Sequence, residues 1–293
     1  MKNTSTTRHF VVEKPLFLGV ILTIAMTGAL LITGLSKTIN TSFACLYTRD
    51  GAVASAAAMR TQLLAVIHYA TSKDIPAITF PEIRASFDVL LNLAPCNFLV
   101  FGLGHDSLMW AALNPRGTTL FLEEDPKLVH KILARAPALR VHTITYSTQL
   151  YEADHLINSY KSEKNCLPPQ VHLRGNARCK LALSELPDDV YNREWDAIFI
   201  DAPRGYYAEA PGRMATVFTA AVMAHRRTRS GMTHVFLHDV DRKVERMYGE
   251  EFLCRKYLVK AVGKLWHFAI PPGVNVSKTR SKRTLGTPPF CQD

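Results

Sequence analysis

No two of the six cysteines fall at a zinc-ligand spacing, which excludes a structural zinc module. No nucleic-acid-binding signature accompanies the formal charge of +10. Residues 1–15 and 273–293 carry +2 and +3 of that charge, leaving +5 for the middle. The remainder suits an acidic partner without requiring nucleic acid. Glycine is also short where a dinucleotide fingerprint needs three, because the turn at Gly102-Leu103-Gly104 offers two. Nothing after residue 35 repeats the single long uncharged apolar run. What is present is ordinary for a globular protein: 47% hydrophobic and 20% charged residues over 293 positions, enough for one large α/β domain with short tails.

The apolar run covers residues 16–35, LFLGVILTIAMTGALLITGL, long enough to cross a bilayer as a helix. Lys2, Arg8 and Lys14 precede it, which puts residues 1–15 in the cytosol and the rest on the far side. A cleaved signal peptide competes with this reading, but the run exceeds the usual apolar core of one. The expectation is a single-pass type II signal anchor, a stem over 36–54, a luminal domain over 55–272 and a disordered basic tail over 273–293. In an oxidising lumen, Cys166 and Cys179 can close the loop CLPPQVHLRGNARC; free thiols are the alternative. Sequons stand at Asn40 and Asn275, and a cytosolic one at Asn3.

The chain is organised around FLVFGLGHDSLMWAALNPRGTTLFLEED, residues 98–125. It reads as strand, glycine turn, helix, strand and acid, the opening unit of a nucleotide- or nucleoside-binding α/β sheet. Helices are expected over 54–70 and 81–93, either covering a cofactor or simply packing. Further helices are expected over 126–136, 149–161, 209–225 and 241–252, and strands over 141–146, 196–200, 234–237, 258–262 and 265–270. Alternation predicts a parallel sheet covered on both faces, and the short link between the last two strands predicts an antiparallel hairpin at its edge. This is the seven-stranded mixed sheet typical of class I methyltransferases, a Rossmann-like α/β fold.

Ligands bind outside the carboxyl ends of strands in open α/β sheets. Candidate residues therefore sit at those ends: Gly102, Gly104, Asp106, Ser107 and Glu123 for a cofactor, Asp201 with Arg204, and His238 with Asp239. Glu124 and Asp125 read as a solvated edge and a helix cap. Asp241 reads as the start of a helix, with an N-cap as its ordinary role.

The motif Glu123-Glu124-Asp125-Pro126, with IFI-Asp201-Ala202-Pro203-Arg204 and VFLH-Asp239, locally resembles catechol O-methyltransferase and related cation-dependent enzymes. A closer resemblance runs from about residue 54 to 271. APCNFLVFGLGHDSLMWAALNPRGTTLFLEED, EWDAIFIDAPRGYYAEAPGRM, THVFLHDVDRKVE and GKLWHF are similar to the plant glucuronoxylan 4-O-methyltransferases. That resemblance implies a Golgi enzyme that moves a methyl group from S-adenosylmethionine to O4 of glucuronic acid on glucuronoxylan. Glucuronic acid on arabinogalactan, or a non-catalytic role in xylan assembly, are the alternatives. The implied partners are an acidic polysaccharide and the Golgi membrane. Glu123 would hold the cofactor's ribose. His238 or Asp201 would be the base, and Asp201 with Asp239 could hold a divalent cation, although Val240 replaces the amide ligand of the catechol enzymes. Arg204 stands where those enzymes carry a lysine; an arginine stays protonated, so it is a poor base but a good bidentate grip for a uronate carboxylate. Arg213, Arg242 and Lys243 are read as added positive potential or solvated charges. Tyr206, Tyr207 and Trp266 are read as sugar-ring faces or as packing.

Overall fold

A computed structural model of the chain describes residues 49–74, 77–273 and 288–292. The expected anchor at 16–35, the stem up to residue 48, the sequons and Cys45 lie outside the described residues. Among the described residues, no helix is long and apolar enough to cross a membrane. Ala57–Asp293 forms one compact unit.

The first two helices, α1 (Arg49–Thr71) and α2 (Phe80–Leu93), precede the sheet. Pro81 fits the first turn of α2, and Glu82 accepts the amide and hydroxyl of Thr79 at 2.7 and 2.6 Å. Then come β1 (Asn97–Phe101), α3 (Ser107–Ala112), β2 (Thr118–Glu123), α4 (Pro126–Arg135) and β3 (Arg140–Thr143). After α5 (Ala153–Ser159) and the short α6 (Asp188–Tyr191), the chain enters β4 (Ala197–Ile200), α7 (Met214–His225) and β5 (Thr233–Leu237). It closes with α8 (Lys243–Tyr248), β6 (Leu258–Val262) and β7 (Leu265–Ile270).

The seven strands lie in the order β3-β2-β1-β4-β5-β7-β6. The first five run parallel, and β7 pairs antiparallel with both β5 and β6, so the edge hairpin is as expected. Alternate residues of the central strands feed two cores. Leu99, Phe101, Ile198 and Ile200 point to the face covered by α7, whereas Phe98, Val100, Phe199 and Phe236 point to the other, with Trp110. Strands buried on both faces read as unbroken apolar runs, which is why their positions were legible. From β1 the chain steps outward to β2 and β3, then returns to β4 on the other side of β1. That reversal opens a crevice at the carboxyl ends of β1 and β4.

Several elements differ from expectation. The helix expected over 149–161 is α5 flanked by 3-10 turns. The one expected from 209 begins only at Met214, because Pro211 and Gly212 (φ +68°) hold the preceding chain in a loop. The one expected over 241–252 ends as α at Tyr248 and continues as a π turn, Gly249–Cys254. Its N-cap is Arg242; Asp241 instead pairs with Lys264 at 3.2 Å. The basic tail is also not free to its end. Besides the expected Cys166–Cys179 disulfide, a second joins Cys254 to Cys291 and seats Phe290 in the core.

Candidate active site

The glycine turn builds one wall of the crevice. Gly102 has φ +118°, a conformation that side chains disfavour, and a Cβ there would stand 3.2 Å from the Cβ of Ala202. The two strand ends therefore approach closely. The amide of Leu103 donates to Glu123 Oε2 at 3.0 Å, and the amides of Glu124 and Asp125 donate to its Oε1 at 2.9 and 3.0 Å. These bonds occupy three of about four lone-pair positions of a buried carboxylate. Glu123 is thus rigidly aimed and keeps room for about one further donor.

Ser107 does not face the crevice as expected. It is 1% exposed, and its hydroxyl accepts from the Gly104 amide at 2.8 Å, so it staples the turn from within. Asp106 does line the crevice. The Trp110 indole donates to its Oδ2 at 2.6 Å, and burial, with the nearby Asp201 charge, pushes its pKa up to about 6. Outside the sheet, the Tyr69 hydroxyl of α1 donates to the His105 carbonyl at 2.7 Å and accepts from the Met109 amide at 3.2 Å. The first helix therefore pins the turn. Glu124, expected at a solvated edge, lines the crevice and accepts the Arg204 amide at 3.4 Å; burial raises its pKa. Asp125 caps α4 as expected, accepting from Lys127 and Leu128.

Opposite the glycine turn lies a network that spacing did not disclose. The Arg213 guanidinium is 4% exposed and makes five hydrogen bonds. Its Nη2 reaches Asp201 Oδ1 at 3.0 Å and Asp239 Oδ2 at 2.8 Å, and its other contacts are the carbonyls of Asp201, Pro203 and His238. Arg242 adds a second cation 3.0 Å from Asp239 Oδ2. Asp239 holds φ +61°, an uncommon state for a residue with a side chain. The only sequence signal for Arg213 is a lone charge at the start of a helix that carries no other arginine, lysine or acid.

Asp201 and Asp239, the pair expected to hold a divalent cation, offer ligand atoms within 4.8 Å of one another and of His238. Their geometry does not fit that expectation. The Arg213 guanidinium already bridges the two carboxylates, so a cation between them would have to displace a buried arginine held by five hydrogen bonds.

His238 also sits differently from a base facing the crevice. It is 3% exposed; Nδ1 meets Asp201 Oδ1 at 2.9 Å, and Nε2 lies buried, 3.9 Å from Glu82 Oε2. Burial alone would lower its pKa, but the hydrogen bond to Asp201 and the charges of Asp201 and Asp239 outweigh this and raise it. Burial would raise Asp201, yet the bond from His238 and the Arg213 charge hold it below the usual carboxylate range. Asp201 lines the crevice as a firm anion supported from behind by His238 and Arg213.

The crevice encloses about 270 Å³. Gly102, Gly104, Asp106, Glu123, Asp201 and Arg204 all line it, so most of the candidate residues converge. Arg204 is half-exposed at the rim, 3.7 Å from Asp125, with Tyr206 beside it. Lys243 points elsewhere and pairs with Asp154 at 3.0 Å, while Trp266 packs on Phe268 and Gly249 away from the crevice wall.

Comparison with known proteins supports a family assignment. Residues 81–268 match the family model described as IRX15/IRX15L/GXM. Arabinogalactan O-methyltransferase 1 of Arabidopsis thaliana is 56% identical over 260 residues, 87% of this chain and 90% of that protein. Glucuronoxylan 4-O-methyltransferase 1 of the same plant is 45% identical over 235 residues, 79% of each chain. Protein IRREGULAR XYLEM 15, also from Arabidopsis thaliana, is 42% identical over 213 residues, 70% of this chain and 65% of that protein. With its family model spanning most of the folded domain, this chain belongs to the IRX15/IRX15L/GXM family.

Proposed function

We propose that this protein transfers a methyl group from S-adenosylmethionine to a hydroxyl, O4, of glucuronic acid in a plant polysaccharide. One observation carries the reading: Glu123 and Asp201 stand at the ends of β2 and β4, the two strands that flank β1, and line one crevice, with the Arg204 cation at its rim. When bound, S-adenosylmethionine supplies an electrophilic methyl group on a sulfonium. Gly102 and Gly104 leave room for close backbone approach, Glu123 accepts a ribose hydroxyl, and Asp106 adds negative charge beside a cationic ligand. Asp201 accepts the proton of the attacking hydroxyl. A strong base is not needed, because that proton becomes acidic as the oxygen gains a bond to carbon. His238 and Arg213 hold the Asp201 carboxylate in one orientation, and such positioning is the larger part of catalysis in an in-line displacement. Arg204 takes the uronate carboxylate.

Between the two acceptors, glucuronoxylan was the expectation from motifs alone. The higher identity to an arabinogalactan enzyme, 56% against 45%, favours glucuronic acid on arabinogalactan. We also read the protein as a Golgi type II membrane protein with a luminal catalytic domain, on the uncharged run at 16–35 and its basic flank. Two disulfides accord with an oxidising lumen.

The test offers the full-length protein methyl-labelled donor with arabinogalactan and with glucuronoxylan. Label on glucuronic acid of arabinogalactan is the expected result. Label on xylan alone would reverse the acceptor assignment, and donor binding without label on either would remove both. A non-catalytic role has one point in its favour, the similarity to Protein IRREGULAR XYLEM 15, whose name states no activity. Calorimetry separates it: a folded chain without measurable donor affinity would sink the enzyme reading.

A further inference from the structure

Two tyrosines stand side by side at the rim of the crevice with their rings open to solvent. Tyr206 is 66% exposed and Tyr207 43%; their centroids are 5.2 Å apart with planes at 70°. The loop that carries them is firmly held. The Gly212 amide donates to the Arg204 carbonyl at 2.9 Å, and the Ala210 amide to the Tyr207 carbonyl at 3.1 Å. From outside the loop, the Tyr151 and Leu150 amides donate to Ala208 and Ala210 at 3.1 and 2.7 Å. Gly205 packs so tightly that a Cβ would stand 2.9 Å from Glu245 Oε1. Nothing in the folding of such a loop requires two large aromatic rings in water, and rigid exposed aromatics beside a crevice mark contact surfaces. Arg204 and Tyr206 line the same crevice, and Tyr207 follows them in the loop, so cation and rings stand side by side.

We propose that Tyr206 and Tyr207 form a second acceptor subsite, a platform for the sugar ring adjoining the uronic acid held by Arg204. Sugars present C–H faces that pack on aromatic rings, while phenol hydroxyls at the edge meet ring hydroxyls. This rests on the methyl-transfer reading and deepens it: the acceptor is recognised as an oligosaccharide, through two neighbouring residues of different character. One is acidic and meets a guanidinium; the other needs only an apolar face.

The test compares two acceptors on the full-length protein: methyl glucuronide, which lacks an adjoining sugar, and a glucuronosyl disaccharide. The monosaccharide is followed by turnover or by its competition with the disaccharide. The wild-type protein should favour the disaccharide. Tyr206→Ala and Tyr207→Ala should raise the disaccharide KM about tenfold in combination, the scale of lost ring contacts, and raise the methyl glucuronide KM by clearly less. Tyr206→Phe should keep the preference, because the ring face survives. An unchanged disaccharide KM in the double variant, or an equal loss for both acceptors, would overturn the subsite. A wild-type protein that binds donor yet methylates no uronate acceptor would instead remove the methyl-transfer reading on which the subsite rests.

Discussion

His238 aims its Nδ1 at Asp201 Oδ1 from 2.9 Å and keeps the rest of its ring out of the crevice. The pair makes folding pH-dependent in two directions. His238 has a raised pKa in the folded state, so its contribution is whole below the ordinary imidazole range and is lost as pH rises through the raised value. Asp201 has a lowered pKa, so its contribution is present above the ordinary carboxylate range and is lost as pH falls through the depressed value. Maximal stability therefore lies between the two. Thermal unfolding of wild type and His238→Gln, from about pH 4 to about pH 9, should give a Tm gap that narrows toward the alkaline end. A gap of constant size would show that His238 contributes packing alone.

Arg213 carries a larger share of the same network. Its guanidinium is buried and neutralises both Asp201 and Asp239. Removing one partner of a buried ion pair leaves uncompensated charge, at a cost of about 3–5 kcal/mol. Arg213→Ala should lose stability on that scale in denaturant titration. It should also expose a pair of carboxylates that a divalent cation can enter, so added magnesium or manganese should restore part of the lost Tm in the variant and not in wild type. A destabilisation below about 1 kcal/mol would mean that the two acids are held by other groups.

The contrast between Glu123 and Arg213 explains how far the sequence could be read. Glu123 was found because strand ends are predictable from unbroken apolar runs and the last polar residue of a strand must face the crevice rim. The same logic locates Gly102 and Asp201, while the closing hairpin follows from the short link between its strands. Arg213 follows Pro211-Gly212 at the start of a helix, where a lone arginine reads as a surface charge; only the fold turns it under two strand ends. Ser107 failed for the related reason that a hydroxyl in a turn can face the ligand or the turn itself, and here it meets the Gly104 amide. The helix beyond Tyr248 widens into a π turn where Gly249 lies against the sheet, with Leu237 2.9 Å from where a Cβ would be. Periodicity holds no record of such a contact.

The Cys254–Cys291 bridge closes a separation of 37 residues and anchors Phe290 between Phe218 and Phe252. Chain-entropy reasoning gives a disulfide about 2–4 kcal/mol. The double variant Cys254→Ser with Cys291→Ser should lower the Tm and release the C-terminal segment to proteolysis, while donor affinity stays near wild type because neither cysteine lines the crevice. Protection of that segment in the double variant would indicate that Phe290 docks without covalent help.

Arg204 offers the most direct test of acceptor recognition. Its side chain is half-exposed at the rim, and a charge-assisted hydrogen bond to a carboxylate at such a position is expected at the low end of about 1.5–3 kcal/mol. Arg204→Ala should therefore raise the KM for glucuronic acid acceptors by about tenfold. Arg204→Lys should recover only part of this, because lysine keeps the charge but lacks the planar fork that matches a carboxylate. Esterifying the acceptor carboxylate removes the group that Arg204 binds. Wild type should thus prefer the free acid over the methyl ester, and Arg204→Ala should treat the two alike, with the donor Kd unmoved. If the variant loses acid and ester equally, Arg204 does not read the carboxylate, and its ion pair with Asp125 becomes its main role.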